Sequence, residues 1–475
     1  MTICMEIAEW ATGLRLADIP PDARERARLQ AANVAASRVA GEEEAAAFAT
    51  VAPDGPVGEI YRSAAASIAH DWDDYLFMGH TGHSAVPAAA AFCPDPGRAL
   101  VAQVAANEVA GRLGAALFLG PHNGQFWASI HCASAAVAAA SGLGLDSTRT
   151  AHALAIALYQ PPYGMWPGFM GPKSKLLTAA EPAAAGARAA LLAAEGVSGA
   201  LDVIEHPRGV LASLSFAPRP SMLGALGRVW LTETLAFKRL PGCAYLQAAA
   251  EAACAASVDS DEVAGVDVYG GWLTCGMEQL GHGSELSPVR VNFSAALSVA
   301  IGLLAGRLTP AELKPAWLSE NEQRIRELAA RVRVRHDPKL TAETLRGTLD
   351  AGGSPQDLSL RDWLRVRRRI GEAGMDAVDP GPALRRVLVA DHGARVAVLR
   401  ALRGRFSASG RRGGIDRLDT DALRMTFPCR LRIRLRDGTE MEIDGEEPGS
   451  CGRPIEEQRA VVEEKLRVAG AAQVG

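Results

Sequence analysis

The sequence predicts a mainly helical protein that carries a second, smaller α+β domain. Most of the first 255 residues have the spacing of helices, and patterns typical of strands appear only after that point. Of the 475 residues, 48% are hydrophobic but only 5% are aromatic, so alanine, valine and leucine supply most of the apolar content. Small side chains at this density favour closely packed helices.

Local signals predict where several helices begin and end. Pro20 and Pro21 precede a run with early acids and a closing glycine, Gly41, which predicts one helix. A later helix, STRTAHALAIALYQ, has Asp146 or Ser147 as its predicted cap. Prolines and glycines interrupt QPPYGMWPGFMGPKSK (160–175), so we predict a long loop there, followed by another helix.

Strand patterns mark the smaller domain. VAGVDVYGGWL predicts a strand, and CRLRIRLRDGTEMEIDG predicts a hairpin that turns at Asp437-Gly438. PIEEQRAVVEEKLRVAG predicts an amphipathic helix after the hairpin. We therefore expect a helical domain and an α+β domain.

Charge and composition argue against several classes of protein. A net charge of −4 does not favour nucleic-acid binding, and the arginines of residues 318–405 alternate with valine and leucine as on a solvated face. The apolar runs 130–145 and 293–306 are shorter than the roughly 20 residues of a membrane span. We see no signal peptide, and the eight cysteines form no CxxC pair. We expect reduced thiols in a cytoplasmic protein.

One stretch, HDWDDYLFMGHTGHSAVP (70–87), concentrates titratable groups. They are His70, Asp71, Asp73, Asp74, His80 and His83. A metal site is one interpretation, although Gly79 and Gly82 argue against a helix there and no HExxH or Cys/His set supports it. A capped, solvated turn is a second interpretation, in which the first histidine is an ordinary surface or core residue.

Acid–base catalysis is the third interpretation and the one we favour. Neighbouring carboxylate and imidazole groups tune each other's pKa, so they supply an acid and a base near neutral pH. Lys175 follows the proline- and glycine-rich loop, and Lys238 lies in AFKRLPGCAY. A lysine in an apolar domain is costly unless it is paired or functional, so both are candidate cations.

Several motifs, by their order and spacing, resemble those of the MmgE/PrpD family, which includes 2-methylcitrate dehydratase, cis-aconitate decarboxylase and iminodisuccinate epimerase. LADIPPDARERAR resembles the family's opening helix, and HDWDDYLFMGHTGHSAVPAAAA its Asp-aromatic-Asp/Asn-Asp motif with the histidine that follows. SKLLTAAEPAAAGARAALLAAEGVSG resembles its lysine-bearing helix start, and FKRLPGC its Lys-x-hydrophobic-Pro motif. The likeness extends over nearly the whole chain.

The resemblance implies an architecture and a set of partners. Residues 1–255 and 445–475 would form the helical domain, and residues 256–444 an α+β lid between them. A homodimer is implied, with a small carboxylate-bearing molecule as substrate and with neither a metal nor an organic cofactor.

The resemblance also implies the site residues. The catalytic candidates are Asp71, Asp74, His80, His83, Lys175 and Lys238. His83 is the closer match to the family's histidine, and His80 is the alternative.

Several positions depart from the family's usual residues, which include histidines at the substrate site. Thr178, Cys243 and Gln247 stand where histidines are common, Gln125 lies near the place of another, and Leu297 replaces a tyrosine of some members. Thr178, Cys243, Gln247 and Gln125 are the candidate substrate-binding residues, and the changes hint at a ligand that is less charged or bulkier than a tricarboxylate.

The function that the resemblance implies is a cofactor-independent lyase, either a dehydratase or a decarboxylase. Its intermediate would be carbanion-like, next to a carboxylate, with nearby lysines stabilising the charge. An isomerase or epimerase that uses the same residues and a non-catalytic family member are the alternatives.

Overall fold

The computed structural model describes residues 1–120, 128–281, 284–352, 360–372, 380–390, 392, 395–396 and 414–471. Most of these residues are helical, and the strands form one four-stranded sheet and one two-stranded ribbon. This confirms the predicted class, a mainly helical protein with a smaller α+β region. None of the helices in these ranges combines the length and the apolar character that a membrane crossing needs.

The helices before residue 256 are α1 (Ile3–Gly13), α2 (Pro21–Gly41), α3 (Ala46–Val51), α4 (Pro56–Ile68), α5 (Gly82–Phe92), α6 (Pro96–Leu117), α7 (Ala128–Gly142), α8 (Ser147–Tyr159), α9 (Trp166–Phe169), α10 (Leu177–Ala194), α11 (Val210–Leu214) and α12 (Gln247–Ala255). Two of these helices, α2 and α8, begin where the local signals predict. The fixed φ of Pro21 suits the first turn of α2. At the start of α8 the Asp146 carboxylate accepts a hydrogen bond from the Arg149 amide over 2.8 Å.

Two local predictions were incomplete. The loop predicted over 160–175 contains the single turn α9 and a 3₁₀ turn, Lys173–Leu176. Gly82 was expected to keep the backbone out of a helix, but α5 begins there. The reason is that the Asp74 carboxylate accepts a hydrogen bond from the Gly82 amide over 3.2 Å, and a Cβ at Gly82 would lie 2.0 Å from that carboxylate.

Small side chains allow the helices of the core to approach closely. Buried alanines of α4, α5, α7 and α10 fill one cluster. On α10, a Cβ at Gly186 would lie 2.2 Å from the Cys132 carbonyl oxygen on α7, so only glycine fits at this crossing. The low aromatic content of the sequence thus corresponds to a core cluster that is filled mostly by alanine.

The strands form two separate arrangements. They are β1 (Asp74–Tyr75), β2 (Ala236–Phe237), β3 (Val263–Gly270), β4 (Val332–His336), β5 (Cys429–Leu435) and β6 (Glu440–Asp444). β1 and β2 form the antiparallel ribbon, and the sheet has the order β4-β3-β5-β6. Val266 pairs with Val332 on the parallel β4 and with Ile433 on the antiparallel β5, and Ile433 pairs with Met441 on β6.

Helices cover one face of this sheet. The helices after residue 256 are α13 (Trp272–Leu280), α14 (Pro288–Asn292), α15 (Ala295–Ala305), α16 (Pro315–Ala329), α17 (Pro338–Leu349), α18 (Leu360–Glu372), α19 (Pro380–Ala390) and α20 (Ile455–Ala469). Leu431 and Ile433 are buried in one cluster with residues of α12, α15 and α16. Arg432, which alternates with them, is only partly buried and lies 2.6 Å from Glu442 on the opposite face of the sheet.

The last helix returns to the beginning of the chain. α20 packs against α2, and Val461 and Leu466 of α20 lie in the same core cluster as Leu423 and Phe427. The predicted division of the chain at residues 255 and 445 stays a prediction.

Candidate active site

The β1–β2 ribbon brings the aspartate motif beside the second candidate lysine. Asp74 pairs with Phe237, and the backbone N–H of Lys238 donates to the Asp73 carbonyl over 3.2 Å. Asp71 lies before the ribbon with φ of 53°, a left-handed conformation that aspartate and asparagine adopt more readily than most residues. The motif therefore reaches the site through a sharp turn followed by a short strand.

Two buried lysines converge on the Asp71 carboxylate. Lys175 Nζ lies 3.0 Å from one carboxylate oxygen, and Lys238 Nζ lies 3.2 Å from the other. The two ammonium groups also donate to the backbone carbonyls of Ile68 (3.2 Å) and Asp71 (3.1 Å), respectively. Burial alone raises the pKa of Asp71, but the two ammonium groups outweigh it and hold that pKa below its usual range.

Asp73 joins the lysine to two histidines. One of its oxygens lies 2.5 Å from Lys238 Nζ, and the other lies 2.7 Å from His80 Nδ1 and 3.0 Å from His83 Nε2. Burial opposes ionisation, but Lys238 and His80 dominate and hold the pKa of Asp73 well below its usual range. With Asp71 and Asp73 ionised and both lysines protonated, these four charges sum to zero.

The two histidines differ in their surroundings. His83 is buried and uses both ring nitrogens, since its Nδ1 lies 2.8 Å from Ser67 Oγ. The His80 side chain is 14% exposed, and its Nδ1 contacts Asp73. His80 is therefore the histidine that a substrate can reach more easily. His70 is also buried, and burial and Lys175 lower its pKa to about 4, so it is neutral near pH 7.

Asp74 lies apart from the lysines. Its carboxylate accepts hydrogen bonds from the Gln30 side-chain amide (2.7 Å), the Asn33 amide (3.4 Å) and the backbone of Gly82. Burial and the neighbouring charge of Asp73 raise its pKa. Its contacts are those of a residue that supports the start of α5.

Aromatic rings surround the first lysine. Lys175 lies in the 3₁₀ turn before α10, and its Nζ is 5.0 Å from the centroid of the Phe293 ring and 5.9 Å from that of Phe169. Phe169 belongs to the proline- and glycine-rich loop, and Phe293 follows α14. Rings from the predicted loop and from the segment after α14 thus both lie within cation–π distance of Lys175 Nζ.

The four candidate substrate-binding residues are not all close to the charges. Cys243 is buried near Asp71 and Lys238, and burial raises the pKa of its thiol to about 12. The Gln247 side chain is hydrogen-bonded to the backbone of Leu240 and Gly242, so it supports the turn after Lys238.

The other two candidates are less informative. Thr178 is buried in the first turn of α10, three residues after Lys175. Gln125 lies outside the described residues.

Sequence reasoning missed two residues of the cluster. It counted Asp73 among the titratable groups of the stretch but not among the catalytic candidates, and it did not name Ser67. The signal for Asp73 is its place in the motif between Asp71 and Asp74, since neighbouring residues at the start of a strand point to opposite sides. Ser67 on α4 has no such signal, because a serine sixteen residues before His83 has no local relation to it.

Metal binding was the weaker alternative for this stretch. In the described ranges, no group of three or more His, Cys, Asp or Glu side chains has an arrangement that could hold a metal ion. The eight cysteines are free thiols. The interpretation of residues 70–87 as a metal site therefore gains no geometric support from the described residues.

Fold and site together define a mainly helical protein with a buried centre of lysines, carboxylates and histidines. Residues 56–222 match the model of the MmgE/PrpD N-terminal domain. This match supports membership of the MmgE/PrpD family, which the motifs predict. The match covers the aspartate motif, both histidines and Lys175, and it ends before Lys238. No curated protein matches the chain. The family contains enzymes such as dehydratases.

Proposed function

We propose that the protein is a cofactor-independent lyase, a dehydratase or decarboxylase, that acts on a small carboxylate-bearing substrate. The observation that carries the proposal is the convergence of Lys175 and Lys238 on one buried carboxylate, that of Asp71, beside the Asp73–His80 pair. Two fixed ammonium groups in a dry site stabilise negative charge far better than water does. The same pair would bind a substrate carboxylate and the charge that develops on it.

Substrate binding requires the cluster to open. Lys175 and Lys238 are almost completely buried, so a substrate carboxylate reaches them only if surrounding residues move. Phe169, whose ring centroid is 5.9 Å from Lys175 Nζ, belongs to the proline- and glycine-rich loop, and loops of this kind often control access to active sites.

His80 would transfer the proton. Because Asp73 accepts at Nδ1, the proton resides there in the neutral ring, and the lone pair of Nε2 remains for a substrate. His83, with both nitrogens occupied, would position Asp73 rather than react. A proton-transfer group of this kind contributes about 10²–10⁴-fold to the rate.

In the dehydratase, Nε2 of His80 takes the proton from the carbon next to the carboxylate. The C–H electron pair moves onto the carboxylate oxygens, where Lys175 and Lys238 stabilise it. The pair then forms a C=C bond as the bond from the neighbouring carbon to its hydroxyl breaks, and protonated His80 returns its proton to the departing hydroxide, which leaves as water. In the decarboxylase, the pair comes from the broken C–C bond, CO₂ leaves, and protonated His80 supplies the proton to the carbon.

An isomerase or epimerase is the second candidate. Asp73 holds an imidazole on one oxygen and an ammonium group on the other, so two proton carriers lie at one site. Epimerisation needs a proton taken from one face of a carbon and returned to the other, with no group lost.

The test is a turnover screen. Purified protein, with and without EDTA, is mixed in D₂O with di- and tricarboxylates, amino-dicarboxylates and their esters, and proton NMR follows each sample. Loss of water or CO₂ that survives EDTA supports the lyase, and deuterium uptake without elimination supports the isomerase. Silence across the panel contradicts both and favours a non-catalytic member. Lys175→Met and Lys238→Met, which keep side-chain length without charge, should abolish any turnover seen.

We also propose that the protein is a cytoplasmic homodimer, which rests on the family resemblance and on the cysteine pattern. Light scattering of the purified protein should give twice the mass of the chain. A single-chain mass at micromolar concentration would contradict the dimer.

A further inference from the structure

A third buried lysine, outside the cluster described above, reaches the aspartate motif from the last helix. Lys465 on α20 is completely buried. Its Nζ lies 2.5 Å from Asn33 Oδ1 and 2.6 Å from the carbonyl oxygen of Trp72, and it lies 4.6 Å from the centroid of the Trp72 ring. All three directions of the ammonium group therefore meet an acceptor or an aromatic face.

The Trp72 carbonyl belongs to the peptide that leads into Asp73. Ser37 on α2 also donates its hydroxyl to this carbonyl. The indole N–H of Trp72 donates to the carbonyl of Arg239, the residue after Lys238, over 2.7 Å. Contacts from α2, from α20 and from the end of the ribbon thus hold one peptide.

We propose that Lys465 is a positioning residue for the proposed reaction, and that it holds the Trp72–Asp73 peptide so that the Asp73 carboxylate reaches Lys238 and His80 at once. The expected effect on kcat rests on the proposed function. The holding of the peptide by Lys465 rests only on the contacts described above.

Packing by itself does not explain a lysine at this place. Burying an ammonium group is costly, and among the described residues its hydrogen-bond partners are uncharged oxygens. Burial accordingly lowers the pKa of Lys465 well below its usual range, against the charges of Asp73 and Asp74. A methionine would fill the same volume without this cost. The feature that methionine lacks is the pair of N–H donors, and these act on the Asn33 amide and the Trp72 carbonyl.

Lys465→Met removes the donors and keeps the volume, so it tests the proposal. The matched control is Val462→Ala, which loses buried volume on the same face of α20 but leaves the donors to Trp72 in place. Hydrogen exchange followed by mass spectrometry compares both variants with the unaltered protein. We expect exchange over residues 71–76 to be on the order of tenfold faster in K465M and unchanged in V462A, because local opening follows the contacts that hold a segment.

Steady-state kinetics adds the functional readout. On a substrate found by the screen, K465M should lower kcat by about 10–100-fold with KM within about twofold, since small misplacements of reacting groups are costly. V462A should lower the thermal midpoint without lowering kcat. Equal exchange over residues 71–76 in the two variants overturns the positioning role, whatever the turnover. An equal kcat in K465M and the unaltered protein also overturns it.

These outcomes separate the two proposals. If the unaltered protein turns over nothing in the panel, the proposed function fails. The exchange comparison of K465M with V462A then still decides whether Lys465 holds the peptide.

Discussion

Replacing Asp71 with asparagine tests the lysine–carboxylate cluster directly. Asparagine has nearly the same shape and tolerates a φ of 53°, so the backbone is kept and one negative charge is removed. Lys238 retains the Asp73 carboxylate at 2.5 Å, whereas Lys175 keeps only uncharged acceptors among the described residues, the carbonyl of Ile68 and the side-chain oxygen of the new asparagine. The substitution therefore removes the ion-pair partner mainly from Lys175.

The magnitude follows from this count of partners. Removing one member of a buried ion pair costs about 3–5 kcal/mol, because a charge remains buried without compensation. Since only Lys175 is left without a carboxylate, we expect the free energy of unfolding at pH 7 to fall by about 3–5 kcal/mol, and not by twice that amount.

The effect has a defined dependence on pH. The pKa of Asp71 in the folded protein is below the ordinary 3.8, so its contribution to stability is complete above that value and is lost as the pH falls through the folded-state pKa. The stabilities of the unaltered protein and of Asp71→Asn should therefore converge in acid and differ fully at neutral pH.

Urea unfolding followed by tryptophan fluorescence measures the difference, with Asp74→Asn as the matched control. Asp74 is equally buried, but burial and Asp73 raise its pKa, so removal of its charge relieves repulsion. We expect this control to cost no more than about 1 kcal/mol. Equal losses in the two variants, or a loss of less than about 1 kcal/mol for Asp71→Asn, would refute the dependence of Lys175 on Asp71.

Three further predictions concern other parts of the site. His80→Gln should lower kcat by about 10²–10⁴-fold and His83→Gln by less, and equal losses in steady-state kinetics would contradict the assignment of the proton carrier. Gln247→Ala removes the side chain that bonds to the backbone of Leu240, so urea unfolding should show a loss of about 1–3 kcal/mol; an unchanged midpoint would mean that the turn holds itself. Burial raises the pKa of Glu447 from 4.5 to about 8, so the folded state prefers the neutral carboxyl and loses stability as the pH rises between these values. Glu447→Gln should remove that loss, which urea midpoints measured between pH 4.5 and 8 would show. The same pH dependence of the midpoint in Glu447→Gln and in the unaltered protein would contradict this reasoning.

Local elements were predictable from the sequence because their signals lie within them. The hairpin at Asp437-Gly438 and the capped helix after Asp146 each carry their own turn or cap chemistry, and β5, β6 and α8 appear where these signals indicate. The β1–β2 ribbon has two residues in each strand and joins Asp74 to Phe237, so no local pattern could reveal it.

The candidate site was predictable in composition but not in arrangement. The three motifs supplied Asp71, the two histidines and both lysines, and the structure brings these side chains together. It also places Asp74 on a different network and gives Asp73 the central position, because the chain turns at Asp71 before the ribbon begins and no local pattern indicates that turn. Roles for these residues stay predictions until turnover is measured.

The contact between Lys465 and Trp72 sets an order of events during biosynthesis. The two residues are 393 positions apart in the chain, and at ribosomal rates the second is made roughly 20–80 s after the first. Throughout that interval the aspartate motif exists without the donor that holds its backbone. The nascent chain can thus build its alanine-rich core while its acidic motif still lacks a fixed geometry, so this part of the centre is assembled at the end of synthesis.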